Sequence, residues 1–377
     1  MKSNYKRIGD YIREVKIRNK DLSITDLRGI NIDKYFMTSV ANTIGTDMSK
    51  YKVVKKGQFA CNRMHVGRDK RLPVALLLGD DSIIVSPAYT VFEVIDESLL
   101  NPEYLMMWFS RKEFDRESWF YTDSDVRGGL SLDDFFDIKV PILPIGKQRE
   151  MVKEYNTILN RIKLNESIIE KLEIIVQSLY YNVFKHNEEL ELVELAEYVE
   201  TNPKISIKKG SVTKYVEMSQ LRTNNMLIND YAKRPFTGGS KFENMDTLLA
   251  RITPCLENGK TAFVNILDNN EIGAGSTEFI VMRAKETISP YWVYCLARDN
   301  DFREYAISSM IGSSGRQRVD ESYLKRYKLK KINTNSMNSF HNKSSKLFNF
   351  IKIKSIENKK LYSMKYILLL KMSTMGE

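Results

Sequence analysis

Two short strings in the sequence have residue types and spacings that could do catalytic chemistry. Asp137 lies two positions before Lys139 and follows Asp123 and Asp125, which is similar to the acid-plus-DxK pattern of metal-dependent nucleases. In such sites carboxylates hold divalent ions that stabilise the reacting oxygens. Asn101 opens the string NPEY, which is similar to the NPPY motif by which amino-methyltransferases orient a target amine. Each string makes an enzyme one hypothesis for this chain.

A loop rich in basic residues indicates a different chemistry, the binding of nucleic acid. The string CNRMHVGRDKR, from Cys61 to Arg71, places five candidate side chains close together: Arg63, His65, Arg68, Lys70 and Arg71. Arginine forms paired hydrogen bonds with guanine edges, and lysine neutralises phosphates. A solvated hairpin loop explains the same composition equally well.

A second basic motif occurs at two places and contains glycines, which allow the backbone to approach a phosphate closely. It reads VRGGLS at 126–131 and SSGRQRVD at 313–320, and its candidate donors are Arg127, Arg316, Gln317 and Arg318. A turn before a helix is the alternative, with Ser131 or Asp320 as the N-cap. DNA contact is favoured because the basic, glycine-containing motif appears twice.

Strings at the start of two predicted strands are weaker candidates. SPAY offers Ser86 and Tyr89, and GSTE at 275–278 occupies the matching place later in the chain. These residues could reach bases, but a plain strand entry is slightly favoured.

The motifs occur twice because the sequence contains an internal repeat. KRIGDYIREV from Lys6 aligns with VELAEYVETN from Val193, and NPEYLMMWFS aligns with SPYWVYCLAR. Six such blocks keep an offset of about 189 residues, which predicts a tandem duplication. The counterpart of the basic loop is RITPCLENGK, which keeps one basic residue at each end, Arg251 and Lys260. The two copies of this loop therefore differ in their basic residues.

The repeat argues against both catalytic strings. NPEY lacks the second proline, its counterpart reads SPYW, and no glycine-rich cofactor loop lies upstream. An N-cap residue followed by proline at the first helical position explains it better. The counterpart of Asp137 to Lys139 is Arg326 to Lys328, which contains no acid, so a surface strand end is favoured. We therefore expect no catalytic residue, no metal site and no cofactor.

The elements that must position the basic loops include one long helix between residues 145 and 184. Its apolar residues recur in alternating steps of three and four, interrupted by Asn165, which is typical of a heptad seam. A poorer copy follows the second domain, and its seam contains Lys354 and Asn358. An antiparallel coiled coil is the simplest way to cover both. The predicted pairing residues are Ile158, Ile162, Ile169, Leu172, Val176, Leu179, Leu347, Ile351, Leu361 and Leu368.

The predicted architecture is therefore mixed α/β (α+β), with two globular domains at 1–144 and 189–332 that alternate with helical segments at 145–188 and 333–377. The second helical segment is the divergent one. The length of 377 residues is sufficient for two or three domains with their own cores.

The net charge of +10 does not by itself indicate DNA binding. Residues 325–377 contain 13 Lys and Arg and 2 Asp and Glu, so the basic excess belongs to the last part of the chain. The three cysteines form no CxxC pair and no disulfide framework, which is typical of the reducing cytoplasm, and the three histidines are scattered. No leader and no apolar run long enough to cross a membrane is expected.

With these residues in view, the chain resembles the specificity (S) subunits of type I restriction–modification systems. The resemblance is carried by IGDY, VSPAYTVFEV, NPEYLMMWFS, GGLSLDDFFDIKVPILPIGKQRE and the helix ending in LYYNVF. It implies that the globular domains are target-recognition domains, each of which reads one half of a bipartite site in double-stranded DNA. It further implies that the helices set the spacing and dock two DNA-adenine methyltransferase subunits, with restriction subunits in the full complex.

Two other functions remain open from the sequence. One is a DNA-acting enzyme with its own nuclease or methyltransferase site, and the other is a coiled-coil adaptor that does not bind DNA.

Overall fold

The computed structural model describes residues 4–40, 45–64, 66–122, 128–185, 191–228, 230–313 and 315–375. It contains both helices and strands, as predicted for a mixed α/β chain. Contacts divide the chain into two units. The first unit contains the residues up to Arg161 and those from Leu361 onward, and the second unit contains Ile162–Lys360.

The first unit has its strands and short helices before residue 142. The strands are β1 (Tyr5–Arg7), β2 (Ile12–Glu14), β3 (Arg28–Ile30), β4 (Phe36–Thr38), β5 (Lys52–Val54), β6 (Gln58–Cys61), β7 (Val74–Leu76), β8 (Ile83–Val85), β9 (Thr90–Val94) and β10 (Lys139–Pro141). The helices are α1 (Val66–Asp69), α2 (Pro102–Phe109), α3 (Lys112–Phe120) and α4 (Leu132–Asp137), and the long helix α5 (Ile145–Tyr180) follows them.

The second unit repeats this pattern. Its strands are β11 (Leu192–Glu194), β12 (Val199–Thr201), β13 (Val212–Val216), β14 (Ala232–Pro235), β15 (Ser240–Phe242), β16 (Thr247–Ala250), β17 (Thr261–Phe263), β18 (Gly273–Gly275), β19 (Phe279–Ala284) and β20 (Lys328–Lys330). Its helices are α6 (Leu195–Tyr198), α7 (Pro290–Arg298), α8 (Asn300–Ser308) and α9 (Glu321–Leu324), and the long helix α10 (Thr334–Thr374) follows.

The two units contain central sheets with the same strand order, and the inner strand pair of each sheet has the same register. The strand order is β2-β9-β6-β7 in the first and β12-β19-β16-β17 in the second. Phe59 lies opposite Phe92 in one sheet, and Leu248 lies opposite Val281 in the other, each 189 positions later. A small antiparallel pair, β1 with β10 and β11 with β20, also occurs once in each unit. The duplication seen in the sequence is therefore also present in strand order and in the register of the inner strand pair.

Aromatic side chains fill the core between the first sheet and its helices. Phe59 stacks on Phe92 with ring centroids 4.9 Å apart, and Phe109 of α2 meets both rings edge-on. Asn101 starts α2, because its side chain accepts a hydrogen bond from the backbone N–H of Tyr104 at 3.0 Å. Strand β6 is buried along its whole length, which fixes the place where the following loop leaves the sheet.

Both long helices bury apolar stripes. In the first unit Met151, Val152 and Tyr155 share a core with Leu368 and Met372. Of the predicted pairing residues, Ile158 and Leu368 pack in this core. Another group packs in the second unit's core, namely Ile169, Leu172, Val176, Leu179, Leu347 and Ile351. Ile162 is buried but lies in neither core, and Leu361 is half-buried and lies in neither.

Polar side chains interrupt the stripe in the second unit and bond to each other. Asn165 donates a hydrogen bond from Nδ2 to Oδ1 of Asn358 at 2.8 Å, and both side chains are buried. Lys354 is also largely buried and bonds to Glu357 at 2.9 Å. A buried polar group without such a partner costs stability, so these residues must meet each other.

A charged side chain attaches the end of each long helix to a globular part. In the first unit the Arg111 guanidinium donates to the Ser373 hydroxyl and lies 4.0 Å from the Trp108 ring centroid. In the second unit Lys185, one turn beyond α5, bonds to Asp299 at 2.9 Å and to Asp301 at 2.7 Å. The cation belongs to the globular part in one unit and to the helix in the other.

Glu173 is a buried acid on α5. Its carboxylate accepts hydrogen bonds from the Met226 backbone N–H at 2.5 Å and from the Tyr294 hydroxyl at 3.0 Å. The side chain is only 5% exposed. Burial raises the pKa of Glu173 to about 7, although both hydrogen bonds favour the ionised form.

We expect Glu173→Gln to flatten the pH dependence of stability. Because the pKa of this acid is higher in the folded chain, the folded state binds more protons between pH 4.5 and about 7. The free energy of unfolding should therefore fall as pH rises through this window, by about 3 kcal/mol for a shift of this size. Urea unfolding of the full chain at pH 5 and pH 7.5 measures this fall, which the glutamine variant should largely lack.

Glu170→Gln is the matched control, since Glu170 is exposed on the same helix. It should keep the wild-type pH dependence. Equal slopes for wild type and Glu173→Gln would show that this carboxyl does not titrate in the window.

Candidate nucleic-acid interface

In the first unit two of the predicted basic segments lie against each other. The backbone N–H of Leu130 donates to the Arg63 carbonyl at 3.0 Å, and the N–H of Gly67 donates to the Gly128 carbonyl at 2.7 Å. A Cβ on Gly67 would lie 2.7 Å from the Gly128 Cα, so neither glycine has room for a side chain. The glycines therefore allow the loop after β6 to contact the segment before α4.

The second unit brings together the corresponding segments. The Val319 N–H donates to the Arg251 carbonyl at 2.9 Å, which is the counterpart of the contact between Leu130 and Arg63. Thr253 and Gln317 exchange two hydrogen bonds of 3.1 Å, and the Arg251 N–H donates to the Glu278 carbonyl at 3.0 Å. Residues 251–260, 275–278 and 313–320 thus form one loop cluster at the end of β16.

Arg63 is bonded within the protein rather than directed into solvent. Its Nε donates to the Thr90 hydroxyl at 3.0 Å, and its Nη1 donates to the Leu130 carbonyl. The side chain is half-buried. These bonds join the start of β9 to the segment before α4, so the geometry gives Arg63 a structural role in addition to the predicted DNA contact.

The other basic residues of this loop are exposed. Arg68 pairs with Asp69 at 2.7 Å, and Arg71 pairs with Asp33 at 3.1 Å. The Lys70 ammonium lies 4.7 Å from the Trp119 ring centroid. Exposed ion pairs of this kind contribute little to stability, so these side chains can exchange a carboxylate for a phosphate at small cost. His65 and Arg127 lie outside the described residues.

The strand-entry residues form turns. The Tyr89 N–H donates to the Ser86 carbonyl at 3.0 Å, and the Tyr89 carbonyl accepts from Lys52 at 2.6 Å.

In the second unit Lys260 donates to the Met218 carbonyl at 2.9 Å. The Arg251 Nε is buried and has no hydrogen-bond partner within the described part of the chain. Ser86, Tyr89 and Lys260 therefore all have a structural contact.

The arginines at 316 and 318 differ in their surroundings. Arg318 forms a two-pronged pair with Glu278, with distances of 2.7–3.0 Å, and these bonds lower the pKa of that carboxyl. Arg316 is exposed, and its side chain has no hydrogen-bond or ion-pair partner among the residues that the structure describes. Gln317 holds the loop through its backbone. Arg316 is thus the donor in this cluster most available to a ligand.

The two catalytic strings have structural partners. Asn101 caps α2, and Asp137 pairs with Arg7 at 2.6 Å. Asp123 and Asp125 lie outside the described residues. Among the described residues no three His, Cys, Asp or Glu side chains form a group that could hold a metal ion. None of the helices in those same ranges contains an apolar stretch that could cross a lipid bilayer.

One basic region beside the loop cluster was not predicted. Lys204 and Lys241 line a cavity of about 410 Å³. Thr277, which precedes Glu278 in the chain, lines the same cavity. The basic string PKISIKK at 203–209 was a possible signal in the sequence. Lys241 gave no local signal, since only the fold brings it to this place.

Comparisons with known proteins agree with the resemblance seen in the sequence. The Type I restriction enzyme EcoAI specificity subunit of Escherichia coli is 30% identical over 135 residues, which are 34% of this chain and 23% of that protein. The EcoEI specificity subunit of Escherichia coli is 27% identical over 150 residues, 38% of this chain and 25% of that protein. The chain is similar to type I restriction specificity subunits. The matched segments span about a quarter of these relatives, and no family model matches the chain.

The fold is also found in a solved structure. A type I restriction–modification S subunit from M. genitalium matches with a TM-score of 0.57 and 13% identity. The match covers 98% of this chain and 95% of the other. The fold-level similarity therefore extends over nearly the whole chain, whereas the sequence similarity covers about a third of it.

We expect Arg63→Ala to lower the stability of the protein and Arg316→Ala to lower its affinity for DNA. Removing Arg63 leaves the Thr90 hydroxyl and Leu130 carbonyl without their donor, which should lower the free energy of unfolding by about 1–3 kcal/mol. Removing the exposed Arg316 should change stability by less than about 0.5 kcal/mol. If Arg316 contacts a base, DNA affinity should fall by about 1–3 kcal/mol. Urea unfolding and DNA-binding titrations of both variants separate these effects.

Arg116→Ala is a suitable control, because Arg116 is exposed and pairs only weakly with Glu113, at 3.3 Å. It should alter neither quantity. A stable Arg63→Ala protein would contradict the structural role, and an unchanged affinity for Arg316→Ala would remove that residue from the DNA contacts.

Proposed function

We propose that this chain is the DNA sequence-specificity subunit of a type I restriction–modification complex and carries out no reaction itself. The observation that carries the proposal is the duplicated loop cluster. Each unit joins two corresponding loops at the end of the corresponding inner strand, β6 or β16, while the side chains on those loops differ. Two similar scaffolds with different surface residues are suited to recognising two different half-sites.

In this proposal the target-recognition domains are residues 1–144 and 189–332. Lys70 and the paired arginines of the loops, Arg68, Arg71 and Arg318, contact phosphates, which gives salt-dependent affinity without sequence preference. Arg316 and Gln317 are the best placed to contact base edges, since arginine recognises guanine and glutamine recognises adenine. The capped Asn101 supports a non-catalytic chain, because its side chain already has a structural partner.

The helical segments 145–188 and 333–377 form the proposed antiparallel coiled coil that spaces the domains. Two contacts within the second unit support the antiparallel direction. Asn165 meets Asn358, and further along the chain Phe184 meets Phe340, with ring centroids 5.3 Å apart. As residue numbers rise on one helix they fall on the other.

Exposed apolar residues on the helices support docking of two copies of one partner. Leu164 is 51% exposed, and Ile353, 189 positions later, is 48% exposed. Ile175 and Met364, separated by the same offset, are 50% and 53% exposed. Large apolar side chains exposed together on a surface commonly mark interaction sites. We assign these positions to two DNA-adenine methyltransferase subunits, which restriction subunits join in the full complex.

The central test is the pattern of adenine methylation in cells with and without this chain. Single-molecule sequencing should find one bipartite motif that is methylated only when the chain is present. Replacing residues 189–332 with the same domain of a related subunit should change one half of that motif and leave the other. An unchanged methylation pattern on deletion of the chain would contradict the proposed function.

Docking is tested by placing charge on the exposed apolar positions. We expect Leu164→Glu together with Ile353→Glu to reduce co-purification with the methyltransferase subunit at least tenfold, since a charge buried at an interface must be desolvated. Lys163→Glu with Lys352→Glu is the matched control, because both residues are exposed on the same helices but point about 100° away from Leu164 and Ile353 around the helix axis. Normal assembly of the first double variant would exclude this surface from docking.

A further inference from the structure

The cavity beside the second unit's loop cluster has the composition of an anion site. Its volume is about 410 Å³. It is bounded by the loop after β12, the start of β15 and the segment before β19, with polar lining from Asn202, Lys204, Gly239, Ser240, Lys241 and Thr277. No carboxylate belongs to this lining among the described residues.

Neither lysine of this cavity forms an ion pair among the described residues, although Lys204 also lines a neighbouring cavity that contains Glu200 and Glu321. The Lys204 ammonium has no hydrogen-bond or ion-pair partner within the ranges that the structure describes. Lys241 donates one hydrogen bond, to the Ile205 carbonyl at 2.8 Å, which leaves two N–H groups. A second cavity, lined by Lys185 and Lys328, differs because these lysines pair with Asp299 and Glu194 at 2.9 and 3.0 Å.

Two of the other polar side chains that line the cavity already have hydrogen-bond partners within the protein. Asn202 donates to Glu321 at 2.5 Å and accepts from the Val281 N–H at 3.0 Å. The Ser240 hydroxyl donates to the Phe279 carbonyl at 3.0 Å. The donors that remain are the Lys204 ammonium, the rest of the Lys241 ammonium and the exposed Thr277 hydroxyl. A set of this kind fits an anion with several acceptor oxygens.

The position of the cavity indicates which anion it takes. Thr277 precedes Glu278, whose side chain bonds to Arg318 and whose carbonyl accepts from Arg251. A Cβ on Gly239 would lie 2.1 Å from the Gly275 carbonyl oxygen, so the loop at 236–240 contacts this segment backbone to backbone. A DNA strand that contacts the loop cluster would therefore continue past the cavity.

We propose that this cavity binds one phosphate of the DNA backbone, through Lys204, Lys241 and Thr277. The inference rests on the proposed function and adds a contact that sets the position of the DNA without selecting its sequence. A neutralised phosphate releases counterions, so each such contact adds about 0.9 to the slope of log affinity against log salt.

The test compares Lys204→Ala with Lys209→Ala in the complex assembled with its methyltransferase subunits. Both variants remove one lysine from the same loop, but Lys209 does not line the cavity. Fluorescence anisotropy with a duplex containing the target should show about 3- to 10-fold weaker binding for Lys204→Ala and a salt slope reduced by about 1. The preference for target over non-target duplex should not change. Thr277→Val should weaken binding in the same direction and less strongly.

Several outcomes would overturn the inference. If Lys204→Ala and Lys209→Ala lower affinity equally, the effect is general surface charge and not a site. If calorimetry with inorganic phosphate alone shows binding that depends on Lys204, while the DNA salt slope is unchanged, the cavity takes a free anion. Failure of the wild-type complex to bind any duplex would instead contradict the proposed function, together with everything that rests on it.

Discussion

Burial of the apolar stripes on α5 and α10 is the constraint on which most of the structure depends. Helices of 36 and 41 residues are not stabilised in water by backbone hydrogen bonds alone and need packing along one face. Each buried Leu or Ile contributes about 1.5–3 kcal/mol, so the helices gain stability only where their stripes are covered. Asn165 and Glu173 lie within the covered faces, and each is tolerated there because a polar partner meets it.

The two units share their backbone framework and differ in the side chains of their loops. Strand order, the register of the inner strand pair and the backbone contact between two loops occur in both units, although few side chains on those loops are shared. Gly67 with Gly128 produces the contact in one unit, while Thr253 with Gln317 produces it in the other. A rigid sheet that supports variable loops is the usual arrangement for binding sites whose specificity diverges.

The fold was more predictable from the sequence than the site. The 189-residue offset, the heptad steps and the Asn-Pro helix start are local or periodic signals, and the structure contains the corresponding elements. The internal bonds of Arg63 could not be foreseen, since Thr90 and Leu130 are distant in sequence. For the same reason the burial of Glu173 and the approach of Lys241 to Thr277 left no signal. Residue type predicts what a side chain can bind, but only the fold decides whether a partner inside the protein already occupies it.

In one helix-end attachment the cation belongs to the domain, and in the other it belongs to the helix. This difference has a consequence for folding. A duplicated chain can misfold when one domain captures the helix that belongs with the other, which is a characteristic failure of repeat proteins. Lys185 aligns with Thr374, and Arg111 aligns with Asp299, so an exchanged pairing would bring Lys185 towards Arg111 and leave Asp299 and Asp301 without a cation. The repulsion between like charges and the unpaired carboxylates both penalise the exchange. Each domain can thereby distinguish its own helix end from the end of its duplicate.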